Sequence, residues 1–323
     1  MTSRRRLGRL FLGVAGLATM IEVAFFHHLN HLLNSQQVAT ERAIQRLVQV
    51  RSTQVLANLK QHYQGVTESP NGQYATYVDT ATNGTDVVHV VSLETGKQVS
   101  EATDLYPVQY VDWLGNTEVF VGEQRSPGDL ELNTFYVSNG QQADVTAASV
   151  PVFSGLSPDA QITKVTYSTQ TNDIFVLITS NGSSEIYHVG TMEDVQSVPV
   201  PAGYVKNIAM TQTGKILYVE INQNGVWNVL KLSETSATSS YTPDFEMNAQ
   251  LVKANAALIS VIGDTLYYGN VNSNGLVTSV YKQTQGTTQL VKQLTRPILA
   301  SRISVTGTGD LVLNPSAVTN ASV

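Results

Sequence analysis

The sequence predicts an all-β fold, a β-propeller of five to six four-stranded blades, because two kinds of turn recur together along the chain. A first turn recurs at a period of about 45 residues, and a second follows it about 12 residues later. Between the turns, apolar and polar residues alternate as they do in half-buried strands. Two turns that recur at this period, with a nearly constant spacing between them, are typical of propeller blades.

The first turns consist of six pairs of turn-forming residues, and each pair is expected to precede the first strand of a repeat. They are Asn71-Gly72, Gly115-Asn116, Asn172-Asp173, Thr213-Gly214, Gly263-Asp264 and Gly309-Asp310. The second turns carry a glycine in five repeats, at Gly84, Gly128, Gly182, Gly225 and Gly275. Asn and Gly tolerate positive φ, and the resulting turn matches the twist of the strands that it joins.

The third repeat shows the expected strand order from the axis outwards. Its four strands are expected at Ile162–Thr166, Ile174–Thr179, Glu185–Val189 and Val195–Val200. Before it lies an extra segment, Ala147–Ala160, which is interpreted as a long loop or an added hairpin. The array ends with two strands of a sixth blade. The ring therefore has either five blades with an unusual closure or six with the last completed by another segment.

The amino-terminal residues predict a membrane anchor. Four arginines stand before an apolar run at residues 10–26: Arg4, Arg5, Arg6 and Arg9. Positive charge before an apolar run predicts a cytoplasmic amino terminus and an extracytoplasmic remainder. The run is short for a span, but residues 27–33 can extend it. We therefore expect a cytoplasmic tail and transmembrane helix in residues 1–34; a cleaved signal peptide, giving a secreted protein, is the competing interpretation.

Residues 35–64 predict an amphipathic helix that connects the anchor to the propeller, which is expected to occupy residues 65–323. This segment has no Gly or Pro, and Ile44, Val48, Val55 and Leu59 recur at helical spacing. One interpretation is a stalk that forms a coiled coil or binds a partner. The other is a helix packed on its own domain or on the lipid surface.

Composition excludes several classes of function. Only 14% of the residues are charged and the net charge is −6. Nucleic-acid binding needs clustered Lys and Arg, so no nucleic-acid partner is expected. The absence of cysteine excludes disulfides, cysteine-ligated zinc and thiol catalysis.

No sequence motif predicts a catalytic, cofactor or metal site. The sequence has no G-x-S-x-G elbow, H-E-x-x-H helix, P-loop or EF-hand calcium loop. Four aromatic residues are candidates for binding, because aromatic anchors are enriched at interfaces: Tyr106, Trp113, Tyr241 and Tyr268. The alternative for each is packing inside a blade, since aromatic side chains also fill strand interiors.

One turn and the strand after it resemble a known family. Residues 69–77, S-P-N-G-Q-Y-A-T-Y, are similar to the S-P-D-G-K-x-I-A-Y repeat of TolB-like propellers, which also occurs before the hydrolase domain of prolyl oligopeptidase relatives. Residues 213–218 match more loosely, and Ser157-Pro158-Asp159 lacks the glycine. The resemblance covers about residues 65–315 and implies a propeller used for binding or scaffolding. The hydrolase domain of the prolyl oligopeptidase relatives is not expected here.

These observations predict a membrane-anchored, outward-facing propeller that binds a protein or a cell-envelope component without catalysis. One alternative is an enzyme that processes envelope polysaccharide or peptide in the propeller channel. The other is a sensor that signals through the connecting helix and the anchor. Convergence of several carboxylates or histidines on the axis would favour the enzyme, whereas apolar and hydroxyl side chains there would favour binding. The sequence leaves the oligomeric state open.

Overall fold

The computed structural model describes residues 46–137, 150–190, 194–233 and 249–313. Residues 46–62 form a helix, α1, and strands account for most of the remaining described residues. The strands form five four-stranded antiparallel sheets and one two-stranded sheet within this part of the chain. Strands that follow one another in sequence pair within each sheet, and we number the sheets as blades 1 to 6 in chain order.

The first three blades have these bounds. Blade 1 contains β1 (Thr67–Glu68), β2 (Tyr74–Thr80), β3 (Asp86–Ser92) and β4 (Gln98–Leu105). Blade 2 contains β5 (Val108–Leu114), β6 (Glu118–Ser126), β7 (Asp129–Tyr136) and β8 (Val152–Phe153). Blade 3 contains β9 (Gln161–Tyr167), β10 (Ile174–Ser180), β11 (Ser183–Val189) and β12 (Val195–Val198). Blade 3 therefore has the strand order expected from its sequence.

The last three blades follow the same order. Blade 4 contains β13 (Tyr204–Met210), β14 (Ile216–Gln223), β15 (Val226–Ser233) and β16 (Gln250–Ala254). Blade 5 contains β17 (Ala256–Ile262), β18 (Thr265–Val271), β19 (Val277–Thr284) and β20 (Thr287–Ile298). A short 3-10 helix, Ala300–Arg302, leads to blade 6, whose two described strands are β21 (Ile303–Val305) and β22 (Leu311–Leu313).

The blades pack face to face in sequence order. Five buried apolar clusters lie in the described chain, and each is shared by two consecutive blades. Phe175 of blade 3, for example, packs in the same cluster as Ile208 of blade 4. The first strands of consecutive blades also contact one another from β5 to β21, and β1 and β2 both contact β5. Radial packing of this kind is the arrangement of a β-propeller.

Both predicted sets of turns adopt positive φ, but the first set lies one strand later than expected. Gly72, Gly214 and Gly309 have φ values of 68°, 72° and 85°, and Asn172 has φ of 60°. These turns join the first strand of each blade to the second, whereas the sequence interpretation put them before the first. This general rule was wrong because the innermost strand precedes the turn in every described blade, as the strands expected for the third repeat, Ile162–Thr166 and Ile174–Thr179, already implied.

The extra segment Ala147–Ala160 is neither a plain loop nor an added hairpin. It contains β8, the fourth strand of blade 2, in which Phe153 pairs with Leu130 of β7. The Leu132 N–H also donates to the Pro151 carbonyl at 3.1 Å. Residues 138–149, between β7 and β8, lie outside the described residues.

Helix α1 packs on the face of blade 1 that is turned away from blade 2. Tyr63, just after the helix, stacks on Tyr77 with ring centroids 3.9 Å apart. About three helical turns further back, the Arg51 guanidinium donates to the Thr95 carbonyl at 3.0 Å. A Cβ added at Gly96 would lie 3.4 Å from a methyl group of Val55, so the helix and the turn are in close contact.

This contact fits the interpretation that the connecting helix packs on its own domain. The covered face of blade 1 includes Ala75, Val91 and Leu93, which are 0%, 5% and 1% exposed. The opposite face packs against blade 2 through Val88 and Val90. The helix therefore covers the surface that a complete preceding blade covers elsewhere in a propeller.

The predicted anchor lies outside the described residues, as do residues 35–45 of the predicted connecting helix. Among the described residues, no helix has the length and apolar content that crossing a membrane requires. The strands and α1 thus define the ring and its covering helix, while the anchor remains a prediction from sequence.

Candidate binding cavity

A cavity of about 610 Å³ lies where the six blades meet. Every blade contributes to its wall, through Pro70, Asp112, Thr166, Asn207, Ser260 and Val305 in turn from blade 1 to blade 6. Thr169, Gln212 and Gly263 also line it, and these residues belong to the turns between first and second strands. The cavity is therefore the central channel at the end of the propeller that carries these turns.

Hydrogen bonds between consecutive turns form the rim of this cavity. The N–H of Asn71 donates to Asn116 Oδ1 at 3.0 Å, and the N–H of Gly115 donates to the Tyr167 hydroxyl at 2.7 Å. The Ser168 hydroxyl donates to the Gln212 carbonyl at 2.5 Å, and the Gln212 N–H donates to the Gly263 carbonyl at 2.8 Å. Each bond joins a blade to the next, so the rim from blade 1 to blade 5 is one connected belt.

The first strand of four blades contains a β-bulge close to the cavity. The extra, unpaired residues are Gln109, Thr163, Lys206 and Ile259. A bulge changes the direction of the side chains that follow it. In blades 3, 4 and 5 the residue directly after the bulge lines the cavity: Lys164, Asn207 and Ser260.

One pair of opposite charges lies in the cavity wall. Lys164 Nζ is 3.6 Å from Asp112 Oδ2, and the two side chains are 41% and 35% exposed. The Tyr110 hydroxyl donates to the same Asp112 oxygen at 3.0 Å and accepts from the Val165 N–H at 3.1 Å. Burial, with the neighbouring carboxylate, raises the pKa of Tyr110 well above its ordinary value, so its hydroxyl stays a neutral donor.

The other polar groups of the wall are uncharged, and part of their hydrogen-bonding capacity joins the blades together. Thr166 Oγ1 accepts from the Met210 N–H at 3.0 Å, and Asn207 Nδ2 donates to the Leu258 carbonyl at 3.1 Å. Within the described chain, Asn207 Oδ1 and the Ser260 hydroxyl make no such bond and are available to a ligand.

The aromatic residues predicted to bind do not meet at this cavity. Trp113 is 4% exposed, stacks with Tyr74 at 6.2 Å, and donates its indole N–H to the Thr67 carbonyl at 3.3 Å. Tyr268 is 5% exposed and stacks with Tyr281. Both fill the interiors of blades, which is the alternative that the sequence offered.

The other two predicted residues lie elsewhere. Tyr106 is 46% exposed at the junction of blades 1 and 2, with the Arg125 guanidinium 6.0 Å from its ring centre. Tyr241 lies outside the described residues. Sequence reasoning missed Asp112, Lys164 and Ser260, because only the strand register places them on the axis.

Titratable groups elsewhere support the fold. Glu220 is 2% exposed, and it accepts from Lys206 Nζ at 3.0 Å and from the Leu258 N–H of blade 5 at 2.9 Å. Burial raises the pKa of Glu220. His188 and Asp173 form a buried pair in blade 3 at 2.9 Å. Within the described ranges, no three His, Asp or Glu side chains come together in a way that would hold a metal ion.

Known proteins resemble this chain in structure rather than in sequence. No protein-family model matches the sequence, and no curated protein matches it. A prolyl endopeptidase structure matches 78% of the chain at 12% identity with a TM-score of 0.51. This chain has the fold of a β-propeller. It spans 41% of the prolyl endopeptidase chain, so the likeness concerns the propeller fold alone.

Two further solved structures share this likeness at lower scores. TolB from Acinetobacter baumannii matches 71% of this chain and 54% of its own, at 11% identity and a TM-score of 0.42. The β-propeller domain of Cps50 (Swd1) from Myceliophteria thermophila matches 73% of this chain and 87% of its own. The identity there is 13% and the TM-score 0.40.

Proposed function

We propose that this protein is a membrane-anchored, extracytoplasmic propeller that binds a protein or a cell-envelope component at its central cavity. It acts as a non-enzymatic binding or scaffold module. The observation that carries the proposal is the cavity wall, to which all six blades contribute and in which uncharged polar and aliphatic side chains predominate. Concave sites with a few convergent polar groups are typical of ligand binding.

The chemistry of the wall supports binding rather than catalysis. General acid–base catalysis needs a group that exchanges a proton near neutral pH, often beside a second such group. The described wall has a single carboxylate, Asp112, and its nearby partners are Lys164 and the Tyr110 hydroxyl. The Tyr110 hydroxyl donates to the carboxylate at 3.0 Å and Lys164 Nζ lies 3.6 Å away, so its described neighbours in the wall are donors and not a second acid or base.

The anchor is supported by the arginines and apolar run of residues 4–26, which favour an outward-facing propeller. Helix α1 supports a fixed attachment, because it packs on blade 1 through Tyr63 and Arg51. A scaffold that presents its cavity to a partner benefits from such an attachment, since less orientational freedom is lost on binding.

Site-specific photo-crosslinking tests this function. A photo-reactive residue at Thr169, which is exposed at the cavity rim, is compared with one at Thr288, which is exposed on the outer strand of blade 5. Both variants of the full chain are expressed in the producing cell, and membranes are irradiated. We expect a discrete adduct with a protein or an envelope polymer from Thr169 and none from Thr288. Identical products at both positions, or none at Thr169, would contradict the proposal.

A further inference from the structure

We propose that the ligand of the central cavity is a neutral oligosaccharide. This inference rests on the proposed function and narrows it to one chemical class of envelope component. The volume of about 610 Å³ is within the roughly 300–1,000 Å³ that is usual for small-ligand sites. The cavity therefore has room for a short saccharide segment rather than for a folded domain.

The charges of the wall favour a ligand without net charge. Asp112 and Lys164 lie 3.6 Å apart, so their charges cancel over the size of a ligand. An anion attracted by Lys164 would also be repelled by the nearby Asp112 carboxylate. A cation attracted by Asp112 would likewise be repelled by Lys164. A divalent metal ion needs more oxygen ligands than this one carboxylate supplies.

The wall nevertheless offers hydrogen bonds. A separation of 3.6 Å is longer than the roughly 2.7–2.9 Å of a charge-assisted hydrogen bond, so Asp112 and Lys164 both retain bonding capacity. The Ser260 hydroxyl and Asn207 Oδ1 add two more groups from blades 4 and 5. A purely apolar ligand would leave these groups without water or partner, which is costly.

The kinds of donors and acceptors in the wall favour hydroxyl groups over peptide groups. The available groups are the Asp112 carboxylate and Asn207 Oδ1, which accept, the Lys164 ammonium, which donates, and the Ser260 hydroxyl, which does both. A peptide unit brings one donor and one acceptor in fixed directions, whereas each sugar hydroxyl donates and accepts and turns to suit. Ile259 and Val261 are partly exposed and also line the cavity, so they offer aliphatic surface to the C–H faces of a sugar ring.

Titration of the full chain with neutral trisaccharides tests this proposal. The protein is held in a detergent without a sugar headgroup, and maltotriose, cellotriose, mannotriose and triacetylchitotriose are screened by saturation-transfer NMR. Dissociation constants of the ligands that bind come from calorimetry. We expect at least one to bind, Ser260→Ala to weaken it about fivefold, and Lys164→Met to weaken it about tenfold or more. Thr288→Ala, on the outer strand of blade 5, should leave the affinity unchanged.

Two results would overturn the proposal. Binding that is unaffected by both cavity variants, each shown to be folded by its unfolding transition, would place the saccharide at another site. Absence of binding by the whole panel would exclude the saccharide class. In that case a protein adduct from the Thr169 crosslinking experiment would leave the proposed binding function standing with a peptide ligand, so the two failures are distinguishable.

Discussion

The contact between α1 and blade 1 predicts a measurable loss of stability when Tyr63 is replaced by alanine. The Tyr63 ring stacks on Tyr77 at 3.9 Å, and Tyr77 in turn stacks on His89 at 4.9 Å. An aromatic pair contributes about 0.5–1.5 kcal/mol beyond its buried area. Loss of the half-buried ring adds about 1.5 kcal/mol. Tyr63→Ala should therefore reduce the free energy of unfolding by about 2–3 kcal/mol.

Urea unfolding followed by tryptophan fluorescence measures this change, because Trp113 is buried between blades 1 and 2. Gln61→Ala is the matched control, since Gln61 is exposed on the same helix. Tyr63→Phe should keep most of the stability because the ring stays in place. A change below about 0.5 kcal/mol for Tyr63→Ala, equal to that of a surface substitution, would refute the idea that α1 is part of the ring's packing.

Three further predictions follow from other contacts. Glu220→Ala leaves the buried Leu258 N–H without its acceptor. It should lower the free energy of unfolding by about 2–3 kcal/mol in the same urea assay, whereas replacing an exposed glutamate by alanine should change it little. Gly269→Ala should cost about 1–3 kcal/mol, because the new Cβ would lie 2.5 Å from Val277. Adding Val277→Ala should recover part of that loss, and a purely additive double variant would contradict this cause. Burial and the contact with Tyr63 raise the pKa of Tyr77 to about 12. Tyr77 therefore ionises at lower pH in the unfolded chain than in the folded one, and the free energy of unfolding should fall as the pH rises from about 10 to about 12. Tyr77→Phe should reduce this dependence on pH.

The sequence predicted the architecture well because the turns are local features. Asn-Gly and similar pairs require positive φ whatever surrounds them, so the spacing of the repeats could be read directly. The general rule placed the first strand after the turn because the strands on both sides of a turn such as Gly214, Tyr204–Met210 and Ile216–Gln223, are rich in apolar residues. Contacts between blades, which sequence periodicity does not contain, decide which of the two strands lies at the axis.

The residues of the cavity wall could not be predicted, because the wall forms only where the blades meet and the first strands of four blades contain bulges. A reading with strict period two assigns every second residue of a strand to one face. An extra residue at Thr163 or Lys206 reverses that assignment for the rest of the strand. The bulge is visible only in the pairing of the strand with its neighbour, which the sequence does not contain. The sequence therefore suggested binding residues only by residue type, which favoured aromatic side chains. Lys164 and Asn207 lie at the axis because of the way their strands pair and pack.

The same geometry connects the two halves of the proposed function. Helix α1 contacts the first blade near its turns, because Arg51 bonds to Thr95, and Val48 and Gln49 line a groove with Asn71 and Gly72. The Asn71 N–H also bonds to Asn116 in the hydrogen-bonded rim of the cavity. Any restraint applied to the chain before residue 46 therefore acts on the blade whose turn begins the rim. An anchor attached there would hold the cavity in a defined orientation, because the helix and the rim share the same turn.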